Sequence, residues 1–98
     1  MESLQSSSAV ETNTLDGALA QDVRGLLQRS RNAAQAVMAC AKYLKLFGFD
    51  EEQCKEGEND YDKGALERHL LAVISNTQDR RRSKLRNALG RAIHDARQ

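Results

Sequence analysis

The strongest constraint on the fold of this chain is a heptad stripe in its first half. Leu19, Val23, Leu26, Ser30, Ala33, Val37, Cys40, Leu44 and Phe47 follow one another at alternating steps of four and three residues. On a helix that spacing keeps every one of them on a single face. A helix over residues 14–47 would be about 50 Å long, more than the width of a compact body of this mass. The stripe therefore predicts a long N-terminal helix in search of a partner.

The other faces of the same segment agree in register. Gln21, Gln28, Gln35 and Lys42 recur on the opposite side. Leu27, Ala34 and Ala41 flank the stripe and widen the apolar band beyond the seam of a two-stranded coiled coil. More than one neighbour must cover such a band, so the expectation is a helical bundle shared with a second copy of the chain. Leu26, Val37, Leu44 and Phe47 are the residues expected to hold that homodimer together. Gly17 and Gly25 each cost about 1 kcal/mol relative to alanine inside a helix. They predict a later start, a bend or a close contact.

Composition excludes most alternatives to helix. The chain has no proline and only two tyrosines and two phenylalanines, and nowhere do apolar and polar residues alternate over a strand's length. The fold class read from these observations is all-α: a small bundle of one long helix and two shorter ones, completed by dimerisation. Residues 1–13, rich in Ser, Thr, Glu and Gln, read as a disordered arm, with Thr14 or Asn13 as the helix cap. Residues 14–98 read as one helical domain with helices at about 14–47, 60–75 and 78–97.

Local signals place the breaks. Gly48 followed by Phe49 is a helix stop, glycine taking the left-handed conformation and the apolar residue folding back on the last turn. Asp50 to Gly57 has the residues for one short helical turn, with Asp50 capping it. Beyond it, the stripe of Leu66, Leu70 and Val73, extended in phase, runs into Arg80, Lys84 and Arg91. The tail's own apolar set is Leu85, Leu89, Ala92, Ile93 and Ala96, rotated by about 100°. A break within Ser75 to Asp79 accounts for that rotation.

Charge divides the chain in two. Residues 1–78 carry eight Lys and Arg against twelve Asp and Glu, a net of −4, and residues 79–98 carry seven basic residues against two acidic, a net of +5. Such polarity concerns partners rather than fold. Arg80, Arg81, Arg82, Lys84, Arg86 and Arg91 could neutralise phosphates, yet in sequence no aromatic residue lies among them to stack on a base. The segment Leu70 to Leu89 invites comparison with a helix-turn-helix, but Arg81 and Arg82 stand where that motif needs inward apolar side chains.

Chemistry-bearing residues are sparse. Cys40, Cys54, His69 and His94 have no metal-ligand spacing, no glycine-rich phosphate loop is present, and the carboxylate pair Glu51 and Glu52 has no apolar surroundings. A Cys54 thiolate activated by His69 would need the loop to fold back on the second helix. No cofactor, no metal and no enzymatic activity are expected. Lacking a basic leader and any membrane-length apolar run, the chain reads as cytoplasmic, with no membrane contact. Tyr43, Leu46, Phe47 and Phe49 crowd one helix end, and Tyr43, Leu46 and Phe49 are candidates for docking a protein. The functional expectation is a helical protein-interaction regulator, adaptor or inhibitor acting as a homodimer. Its alternative is a DNA- or RNA-binding regulator using the basic C-terminal helix.

Overall fold

The structure, a computed structural model, describes residues 17–97. The proposed N-terminal arm and the caps at Asn13 and Thr14 lie outside them. The described residues form four α-helices, α1 (Gly17–Arg29), α2 (Ala33–Tyr43), α3 (Lys63–Asn76) and α4 (Arg82–Arg97), with short 3-10 turns at Lys45–Phe47, Glu51–Cys54 and Asp79–Arg81. Among the described residues no strand occurs, only an isolated antiparallel bridge between Lys55 and Tyr61. The all-α reading holds.

The single long helix does not. It breaks at residues 30–32 for reasons that are local and chemical. The Ser30 hydroxyl donates to the Leu26 carbonyl at 2.6 Å, the carbonyl that already accepts the Ser30 amide at 3.1 Å. Asn32 then starts a new helix, its Oδ1 accepting from the Gln35 amide at 2.9 Å. Gln35 reaches back, its Oε1 accepting from the Arg31 amide at 3.1 Å. This is a close variant of the reciprocal capping box. From the start of the neighbouring α3, Lys63 Nζ donates to the carbonyls of Leu27 at 3.0 Å and Ser30 at 3.3 Å. That ammonium sits at the negative end of α1 and satisfies carbonyls the helix leaves unpaired.

The break lets the stripe fold onto its own chain. Leu19, Val23, Leu26, Val37, Cys40 and Leu44 are all buried, and they share one core with Leu66, Leu70, Val73, Ile74, Leu85, Leu89, Ala92 and Ala96. The longest extent of the molecule is 43 Å, shorter than the unbroken helix would be. The stripe is thus the core face, and what the structure corrects is the continuity of the helix that carries it.

The remaining joints follow their local signals. Gly48 has φ of 97°. The Phe49 amide donates to the Leu44 carbonyl at 3.2 Å and the Gly48 amide to Lys45 at 3.1 Å, the two bonds of a Schellman stop. Asp50 caps the turn at Glu51–Cys54, accepting from the Glu52 amide. The second predicted helix begins at Lys63 rather than residue 60, because Asp62 takes the capping role and accepts from the Ala65 amide at 2.9 Å. It ends at Thr77, whose hydroxyl donates to the Val73 carbonyl at 2.7 Å. After one 3-10 turn α4 starts in its new phase, as the rotation of the apolar set requires. The helix-turn-helix comparison fails on packing: α4 lies chiefly on α1 and α2, with α3 set against α1 and the turn at Glu51–Cys54.

Candidate functional site

By turning Leu85, Leu89, Ala92 and Ala96 inward, α4 is obliged to carry Lys84, Arg86, Asn87, Gly90, Arg91, His94 and Arg97 outward, and all of these are exposed. Of the predicted nucleic-acid contacts, Lys84, Arg86 and Arg91 lie on this open face, and Arg80 is exposed in the turn before it. Arg81 and Arg82 are half-buried. The Arg81 guanidinium carbon lies 4.6 Å from the centroid of the Phe47 ring, a cation–π contact. Arg82 Nε lies 3.5 Å from Asp79 Oδ1, and Arg80 Nε donates to Gln78 Oε1 at 2.9 Å.

These cations stand at the wrong end of their helix. The N-terminal end of a helix is its positive end, where cations are unfavourable, and the first turn of α4 has no acidic residue. Asp79 in the preceding turn offsets part of this. Ion pairs among the described residues include Lys55 with Glu52, Lys42 with Asp95 and Arg82 with Asp79. None of these joins the α4 cations to the acidic residues of the 50–62 loop.

The structure also supplies what the sequence order conceals. Tyr43, the last residue of α2, borders a shallow groove of ≈490 Å³ with Arg86, Asn87, Gly90, Arg91 and His94. It borders an adjoining recess of ≈230 Å³ with Lys84, Asn87, Ala88 and Arg91. Lys42 Nζ lies 5.3 Å from the Tyr43 ring centroid and 3.8 Å from Asp95 Oδ2. Tyr43 therefore stands among cations of α4, and Phe47 against Arg81 of the turn before it, more than thirty residues away in sequence. Helix periodicity could not reveal this, because the juxtaposition depends on how α2 packs against α4.

The expected interface and docking residues scatter. Leu26, Val37 and Leu44 are buried in the core of one chain. Phe47 is half-buried under Arg81. Phe49 is buried, its ring centroid 5.1 Å from that of His69, which leaves it unable to dock a partner. Leu46, in contrast, is 85% exposed, and Met38 is 68% exposed one turn before Lys42 on α2.

The thiol and imidazole chemistry is quiet. His69 Nε2 accepts from the Asp50 amide at 2.9 Å, which requires the neutral ring with its proton on Nδ1. Burial lowers its pKa, against the opposing pull of the Asp50 carboxylate. Burial likewise pushes the Cys40 thiol up to about 12 and the Cys54 thiol up to about 11. Both cysteines are core residues held protonated, and the activated Cys54 considered from sequence is corrected to an inert thiol. Among the described residues no group of three His, Cys, Asp or Glu side chains could hold a metal ion. No helix among them is long and apolar enough to cross a membrane.

Comparison of the chain with protein-family models, with curated proteins and with solved structures finds no match, which leaves the chemistry of this face as the guide to function.

Proposed function

We propose that the chain is a non-enzymatic regulator that binds DNA or RNA through the outer face of α4. The observation that carries this reading is the placement of Tyr43 among Lys84, Arg86 and Arg91 of that face. Charge alone attracts any polyanion, whereas cations interleaved with aromatic rings suit a ligand made of phosphates and flat bases. The unfavourable position of Arg80 to Lys84 at the positive end of α4 supports it further. A bound phosphate there would be favoured by the positive end of the helix as well as by these cations.

Salt-titrated binding tests the reading. With Arg80, Lys84, Arg86 and Arg91 together replaced by alanine, affinity should fall for every sequence. The slope of log affinity against log salt should flatten by roughly three, since each single-strand phosphate contact contributes about 0.7. Absence of any binding at ~50 mM salt by the unaltered protein would end the proposal.

A second reading, a protein partner, is favoured by the exposure of Leu46 and Met38. Any self-association would then run through these side chains, not through the buried heptad stripe.

A further inference from the structure

Resting on the nucleic-acid reading above, we infer that the ligand is a single strand, one unpaired base of which sits in the groove between Tyr43 and α4. A duplex hides the faces of its bases and offers only their edges and its backbone. A single strand exposes flat faces that stack on aromatic rings. Tyr43 lines a recess at the flank of α4. There it can meet a base that leaves its stack.

The floor of the groove points the same way. Gly90 lies inside α4, exposed, and a Cβ built on it would meet nothing within 4 Å. The fold therefore gives no packing reason for glycine at a position where alanine makes the better helix. A bare main chain does permit the close approach of a planar ring. Asn87, lining both the groove and its adjoining recess, offers a donor and an acceptor to a base edge. Lys84, Arg86 and Arg91 flank it for the phosphates on either side.

The test uses fluorescence polarisation of labelled 12-nucleotide oligo-dT and oligo-U, a 12-base-pair duplex, and heparin as a polyanion without bases. The single strands should bind more tightly than duplex or heparin. Tyr43→Leu, which keeps an apolar side chain but no ring, should lose roughly 5- to 150-fold in single-strand affinity, and Tyr43→Phe should restore it. Gly90→Ala should weaken binding while raising the thermal midpoint, which separates loss of the site from loss of the fold. Equal or tighter binding of duplex or heparin overturns the inference. So does unchanged single-strand affinity in Tyr43→Leu, confirmed as folded by its melting curve. In either case the salt-dependent binding proposed above would survive, whereas no binding to any probe would remove both.

Discussion

His69 shows how one side chain can set the acid tolerance of a joint. Its Nε2 accepts the Asp50 amide, and its ring lies against Phe49, so it holds the turn after α2 against α3 only while unprotonated. Its pKa is lowered from the ordinary 6.5, chiefly by burial. The unfolded chain therefore binds this proton more readily than the folded one. The stabilisation is fully present above about pH 6.5 and is lost as pH falls through the lower folded value. The thermal midpoint should be flat above neutrality and should decline from pH 6.5 downward. His69→Gln, which can still offer an oxygen acceptor but does not titrate, should flatten that limb of the profile. An unchanged limb would show that His69 does not control it. None of this pairing was legible in the sequence, where His69 and Asp50 lie nineteen residues apart.

At the scale of elements, the joint between α1 and α2 separates what periodicity can reveal from what it cannot. A heptad pattern reports which face is apolar, and in this chain its register continues through residues 30–32, with Ser30 its one polar member. It is silent on whether the backbone beneath it is continuous. The local signal was present in Asn32 and Gln35, three residues apart, the spacing of a capping pair. The third contribution, Lys63 over the end of α1, was beyond any local reading. The break at Thr77 was legible because the apolar phase itself shifts there. Asn32→Ala should cost about 1 kcal/mol through loss of the cap. Lys63→Met should cost about 2 kcal/mol, because its bonds to Leu27 and Ser30 are charge-assisted. Urea unfolding of each variant measures these costs. A Lys63→Met variant as stable as the parent would show that α1 ends unaided.

For the whole molecule, the decisive fact is that one chain covers its own stripe. Val37 is fully buried, so Val37→Asp places an unpaired carboxylate in the core at a cost on the order of 4 kcal/mol. The helical signal of far-ultraviolet circular dichroism should collapse. Leu46→Asp, at an 85% exposed position, should leave that signal intact and suppress any dimer seen by light scattering. A folded, monomeric Val37→Asp protein would return the stripe to the role of an intermolecular seam. The candidate site was legible only in its cations. Its ring, Tyr43 at the end of α2, entered only when α2 and α4 were packed side by side.

Tyr43 has a spectroscopic consequence. The chain contains two tyrosines and no tryptophan, so its ultraviolet emission is the sum of two sites. Tyr61 reports the acidic loop, where its hydroxyl donates to Glu51 Oε2 at 3.4 Å, while Tyr43 reports the groove beside α4. The protein thus carries a native optical probe at its candidate site and a second fluorophore on the loop to serve as its reference.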